Sequence, residues 1–368
     1  MKVKPIDELT GIRFFAALHV LFFHTFYLSG SLYESSPDFI KRMVSLGDSA
    51  VSFFFILSGF ILTYVYTNKD DELRSTPKSF AWARFSRLYP VYLLGLILDL
   101  PRGLSYFFNE YSSSVAFKKV AITLVAYMGM FQSWHPRLTA AWNSPGWSLS
   151  DEIFFYLLFP FVLPLVLRIK KDLFFILTLY LLPIILFFLG KSHFDFSTGA
   201  GHIFWRSFPP LRLGEFLLGI FIGKTFIKEL SFFRIIKKFS QLFGLLFWLI
   251  LFFSLFIISV DFGYPREVIS HTFLVPCFSL MILILSSLKV PFTAIFRHPF
   301  MLLLGNASFT LYIIHMPLLF YINKLEISKG LVFFILYLLV SLLLSLLVYK
   351  WFEIPLQRFL RRKYTHKG

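Results

Sequence analysis

Residues 9–30 read LTGIRFFAALHVLFFHTFYLSG. That is about the length a helix needs to span a bilayer. A simple lipid anchor would carry only residues such as Leu and Phe, yet this stretch carries Arg13, His19 and His24. Ionisable groups at membrane depth are costly, so they face a protein interior or a water-filled cavity. Arg13 and His24 are eleven positions apart. At about 100° per residue that is close to three full turns, which puts both on one face, roughly 16 Å apart along the axis. One helix face therefore offers a fixed cation at one level and a titratable imidazole at another. Two readings stand at this point: a reaction centre, or two polar groups satisfied by neighbouring helices.

The rest of the chain has the same apolar character. Of its 368 residues 57% are hydrophobic and 15% are charged, against about 25% charged in a soluble domain. This composition predicts an all-α polytopic membrane protein, a helical bundle forming one embedded domain over 1–368, with its core at 9–359 and a basic tail at 358–368. The 9–30 segment is too long, and holds an arginine too many, for a cleavable signal peptide. Cys277 is the single cysteine and lies in an apolar run, which excludes an intrachain disulfide and a cysteine metal site and reads as packing. The formal net charge of +16 does not indicate nucleic acid, because the basic residues sit in short loops between apolar segments, where they set orientation and touch anionic lipid headgroups.

Eleven apolar segments are readable: 9–30, 48–66, 88–104, 118–135, 148–168, 172–190, 209–228, 239–260, 268–288, 300–322 and 331–352. Lys2 and Lys4 predict a cytoplasmic amino terminus. Arg358, Arg361, Arg362, Lys363 and Lys367 predict a cytoplasmic carboxyl terminus. The loops bearing Lys69, Arg74 and Lys78, then Lys118 and Lys119, then Arg168, Lys170 and Lys171 also belong inside. Eleven crossings cannot satisfy both ends, so the expectation is about ten transmembrane helices plus one irregular or re-entrant element. The 88–104 stretch, with Pro90, Asp99 and Pro101, is the candidate for a broken, re-entrant or interfacial segment.

On this topology His24, the stretch Trp142–Glu152 (WNSPGWSLSDE) and His315 all map to the outer half, where His24, Glu152 and His315 are expected to converge. Pro317 should kink the helix after His315 and free carbonyls. Ser148 or Ser150 is expected to cap the segment that follows, with Asp151 and Glu152 in its favourable first turn. Ser58-Gly59 suits close helix packing; no nucleophile elbow surrounds Ser58. Arg212 and Glu215 have the spacing of a helical salt bridge. His193, His202 and His271 fall in outer loops, and no set has metal-ligand spacing, so no metal is expected. On the inner side Arg84 and Arg87 are spaced to share a helix face beside Trp82, Tyr89 and Tyr92. An arginine pair suits bidentate phosphate binding; taken alone, this one reads as a positive-inside anchor.

Six stretches together resemble the type-3 integral-membrane acyltransferases, the family of bacterial surface-polysaccharide O-acetyltransferases. They are TGIRFFAALHVLFFH (10–24), GDSAVSFFFILSGFIL (47–62), WARFSRLYP (82–90), NSPGWSLSDEIFFYLLFP (143–160), HPFMLLLGNASFTLYIIHMP (298–317) and WFEIPLQRFL (351–360). Each alone is mostly apolar and weak; six in family order are specific. Thr10 stands where many members have aspartate, and Asp151 where a small or apolar residue is usual. No hydrolase-like extension follows, so a step performed by such an extension in longer members is expected to be absent or supplied by another protein.

The resemblance implies transfer of an acyl group, acetyl above others, from cytoplasmic acyl-CoA to a hydroxyl of a cell-envelope or exported glycan or glycolipid, at a bacterial inner membrane and beside polysaccharide biosynthesis or export proteins. It implies catalytic roles for His24, Arg13 and Glu152, with His24 as general base or covalent acyl carrier. It implies donor binding by Arg84 and Arg87, and supporting or substrate contacts from Trp147, Ser148 and His315. No permanently bound cofactor is implied. The competing reading is a transporter or flippase for a lipid-linked anionic sugar, which needs the same intramembrane Arg and His and basic inner loops, but no paired interrupted segments are visible. A purely structural scaffold leaves Arg13 and His24 without a reason.

Overall fold

Every readable apolar segment becomes a helix in the computed structural model, which describes residues 4–67, 71–170, 172–190, 205–229, 231–260, 270–289, 291–325 and 327–365. Lys2, Lys69, Lys171, His193, His202 and Lys367 lie outside the described residues. The longer helices are α1 (Asp7–Thr25), α2 (Ala50–Tyr66), α3 (Pro77–Glu110), α4 (Ser113–Met128), α5 (Trp147–Arg168), α6 (Asp172–Gly190), α7 (Pro209–Ile227), α8 (Ser240–Ser259), α9 (Val275–Ser287), α10 (Pro299–Asn323), α11 (Leu331–Val348) and α12 (Ile354–Thr365). Among the described residues the only strand-like pairing is an isolated bridge between Thr67 and Leu73. Local chemistry explains the helix starts. Asp7 and Glu8 occupy the first turn of α1 and His24 its last, matching the helix dipole. Pro77 opens α3 behind Thr76, whose hydroxyl accepts from the Ser79 amide at 3.2 Å.

Seven helical stretches among the described residues have the length and apolar character of a membrane span, against the ten expected: Asp7–Ser29, Asp38–Tyr66, Pro77–Glu110, Ser144–Arg168, Ser240–Ile257, Pro299–Asn323 and Leu331–Arg362. Asp172–Leu186 and His271–Ser287 are shorter apolar helices. Val125, Phe161 and Phe252 are each at least 69% exposed, as side chains facing lipid would be.

The 88–104 stretch is not broken. It is the middle of α3, a continuous helix of 34 residues that passes through Pro90 and Pro101. Asp99, a reason to suspect irregularity, is fully buried and ion-paired within the helix: Arg102 reaches it with two bonds of 2.7 and 2.6 Å and also donates to the Trp142 carbonyl at 2.8 Å. Pairing the carboxylate one turn away, with two short bonds, offsets part of the cost of carrying it through an apolar helix.

Two pairs of parallel helices form the centre. The residue order of their contacts gives the direction: Thr10 beside Gly305 and His24 beside His315 for α1 and α10, and Ser52 beside Arg212 and Thr63 beside Gly223 for α2 and α7. Glycine makes the α2–α7 approach feasible. A Cβ at Gly59 would run into the Phe216 carbonyl, and one at Gly219 into the Ile56 carbonyl, which agrees with the packing role expected of Ser58-Gly59. In α10, Pro317 has no N–H to give the carbonyl four residues back. That carbonyl, of Ile313, accepts instead from Nδ2 of the buried Asn143 at 3.0 Å. The helix continues through the proline.

Candidate functional site

The His24 ring meets His315 on α10. His315 Nε2 lies 3.1 Å from His24 Nδ1, with ring centroids 5.1 Å apart. The surrounding carbonyls decide which nitrogens carry protons. His315 Nδ1 is 2.8 Å from the Tyr312 carbonyl, and a carbonyl only accepts, so Nδ1 is the N–H of neutral His315 and Nε2 is its lone pair. His24 Nδ1 lies 3.0 Å from the Val20 carbonyl as well as near that lone pair, so it too carries a hydrogen. The lone pair of neutral His24 is therefore on Nε2. Tyr337 donates to the His315 carbonyl at 2.8 Å, and Asn143 holds the preceding turn, so His315 is fixed from two sides.

Three turns back along α1, Arg13 lines a cavity of about 340 Å³ between α1, α2, α3, α5 and α10. Arg84 and Arg87 of α3 share its wall with Lys4, Ser58, Glu152, Tyr156 and Tyr312. Arg84 is buried; it bonds the Tyr66 hydroxyl at 2.9 Å and lies over the Tyr66 ring. Among the described residues neither Arg13 nor Arg87 has a hydrogen bond or an ion-pair partner within 4 Å. Their nearest counter-charges act through space: Glu353 on both, and Glu152 on Arg13. Glu152 itself accepts from Tyr156 at 2.6 Å and from Ser58 at 3.3 Å. The cavity is thus lined by both cations and hydroxyls, and Tyr312 joins it to the histidine pair one turn further along α10.

The expected convergence of three residues is divided in two. His24 and His315 meet, while Glu152 sits in the cavity near the arginines. Trp147 is buried, and Arg206 stacks over its ring. Ser148 does not cap α5. The cap position is Gly146, and Ser148 instead touches the Tyr312 hydroxyl at 2.8 Å and the Pro145 carbonyl at 3.1 Å. The Ser150 hydroxyl is buried and has no hydrogen-bond partner among the described residues. Asp151 points away from the cavity and accepts from Ser133 at 2.7 Å. Both serines lose the capping role because a turn at Ser144–Gly146 leads into the helix before them. Arg212 and Glu215 form the expected pair at 3.0 Å, with Ser52 also bonding Arg212. Glu353, Tyr156 and Tyr312 belong to the site and were not singled out by residue type. The available signal for Glu353 was its position: an acid flanked by apolar residues at the end of the last long segment, buried and bonded to Thr310.

Similarity to known proteins follows the same elements. Residues 6–350 match the family described as an acyltransferase domain, the third such family of that name. Acyltransferase MdmB of Streptomyces mycarofaciens is 31% identical over 229 residues, 60% of this chain and 57% of that protein. "Protein 2 in picA locus" of Rhizobium radiobacter is 40% identical over 90 residues, 24% of this chain and 41% of that protein. A Staphylococcus aureus (strain COL) protein with an O-acetyltransferase name is 22% identical over 373 residues, 97% of this chain and 58% of that protein. The chain therefore spans little more than half the length of MdmB and of the Staphylococcus aureus protein. No solved structure matches it. With one family profile running from α1 through the end of α11, the chain belongs to the type-3 acyltransferases of the membrane.

Proposed function

We propose that this protein transfers an acetyl group from cytoplasmic acetyl-CoA to a hydroxyl of a cell-envelope glycan, in a bacterial inner membrane. The observation that carries the reading is α1 itself: one straight element presents Arg13 to a cation-lined cavity and His24 to the histidine pair. The donor's phosphates fit Arg84 and Arg87, whose guanidinium forks suit phosphate oxygens. Its acyl end would extend along the cavity toward Tyr312. His24 Nε2 takes the proton of the acceptor hydroxyl as its oxygen attacks the thioester carbonyl. Collapse of the tetrahedral intermediate breaks the carbon–sulfur bond, and the departing thiolate receives that proton from His24. His315 accepts the Nδ1–H of His24 throughout, which supports the charge that forms on the ring. Arg13 holds the anionic donor in line, and Glu152, held by Tyr156 and Ser58, balances the Arg13 charge through space. The acceptor approaches from the face opposite the arginines, where biosynthesis or export proteins would deliver it.

The test is free-thiol release from labelled acetyl-CoA by inverted membrane vesicles, with the label followed into the glycan fraction. Label in glycan that disappears in His24→Ala supports the reading. Glycan-lipid movement with no CoA release would establish the transporter alternative instead.

A further inference from the structure

The carboxyl-terminal helix repeats the spacing that α3 uses. On α3, Arg84 and Arg87 are three apart; on α12, Arg358 and Arg361 are three apart. The two helices pack together, and Trp82 Nε1 donates to the Leu360 carbonyl at 3.0 Å. That bond pins α12 next to Arg361, two residues from Arg84 on the other helix. At its start α12 follows Glu353, which is held by Thr310 and lies within electrostatic reach of Arg13 and Arg87. The segment carrying Arg358 and Arg361 is therefore held at both ends, at Glu353 by Thr310 of α10 and at Leu360 by Trp82 of α3. Arg361 is within electrostatic reach of Arg84 and Arg87, and Tyr349 of Arg13, Arg87 and Arg358. Arg358 and Arg361 are exposed, whereas Arg84 is buried.

We propose that Arg358 and Arg361 of α12 join Arg84 and Arg87 of α3 in one cradle for a polyphosphate, the nucleotide end of the thioester donor. This rests on the donor named above. Guanidiniums gathered from two helices repel one another. An anion carrying several charges is the ligand that such a cluster favours. A lone carboxylate or monophosphate would occupy one fork; two forks at different depths fit phosphates at two positions on one molecule. The α3 pair, Arg84 buried and Arg87 half-buried, would take the diphosphate next to the arm that enters the cavity. The exposed pair would take the outlying 3′-phosphate on the ribose. The carboxyl-terminal helix is then part of the donor site, although it lies beyond the last apolar segment.

The experiment measures dissociation constants on the full chain in lipid nanodiscs for three probes: coenzyme A, 3′-dephospho-coenzyme A and S-acetylpantetheine. It compares wild type with Arg358→Gln/Arg361→Gln and with the charge-retaining Arg358→Lys/Arg361→Lys. Wild type should favour coenzyme A over the dephospho form by about tenfold or more, the usual scale for a charge-assisted hydrogen bond. The Gln variant should lose that preference and leave S-acetylpantetheine unchanged, and the Lys variant should keep part of it. Added salt should narrow the wild-type preference. If the Gln variant keeps the full preference, the α12 assignment is overturned and the donor reading stands. If wild type binds none of the coenzyme A forms, the donor reading fails, and this inference with it.

Discussion

His315 Nε2 accepts from His24 Nδ1 at 3.1 Å, across 291 residues of sequence. Two backbone carbonyls, of Tyr312 and Val20, leave neither ring a free choice of tautomer. The basic lone pair of His24 is therefore set by a residue that need not touch any substrate.

A consequence is graded sensitivity at position 315. His315→Leu removes the acceptor and should reduce turnover by roughly 10²-fold, the lower range for general acid–base assistance. Gln can place a carbonyl oxygen near the lost Nε2, so His315→Gln should recover part of the rate. Equal loss in both variants would reduce His315 to a packing role. His24→Ala should abolish transfer with extraction and folding unchanged.

The pH profile has a definite sign. A base works only with its lone pair free, so activity should fall toward acid as His24 gains a proton on Nε2. His24→Gln should leave no such acid limb in any residual activity. Initial rates from pH 5 to pH 9 at saturating donor would test this.

Arg84→Ala with Arg87→Ala should raise the apparent donor KM by about tenfold or more. An unchanged donor dependence would return both residues to anchoring the membrane boundary.

Two structural predictions separate folding from chemistry. Arg102→Leu leaves the buried Asp99 carboxylate without its partner and should cost about 3 kcal/mol, seen as a lowered melting temperature of the detergent-solubilised protein. Gly219→Val drives a side chain into the Ile56 carbonyl and should lose the monodisperse peak in size-exclusion chromatography. Normal elution of that variant would mean that α2 and α7 can separate at little cost.

How much of this was legible in the chain varies with the range of the interaction. The face shared by Arg13 and His24 follows from helical phase alone, and the Arg212–Glu215 pair from local spacing; both are visible in the sequence. The continuity of 88–104 is hidden when Asp99 is read as a lone charge, although its partner Arg102 follows only three residues later. The serines at the start of α5 illustrate the opposite failure. Ser148 has a capping residue's chemistry, but its hydroxyl is claimed by Tyr312, 164 residues away. Glu152 and His24 share a side of the predicted topology and still belong to different ends of the site, since depth is set by how α5 packs on α2, α3 and α7. The family resemblance points to acyl transfer; only tertiary contacts show which of the polar residues lie together.

Because Arg13 and His24 ride on one unbroken helix, their separation acts as a gauge stored in residue count. Adding one residue between them would turn His24 by about 100° and lift it about 1.5 Å relative to Arg13, aiming the ring away from α10. Adding four would nearly restore the angle but lengthen the gauge by about 6 Å. Length and direction cannot both be kept by any small insertion. The ten residues between Arg13 and His24 therefore tolerate exchange of side chains far better than a change in their number, whatever their individual identities.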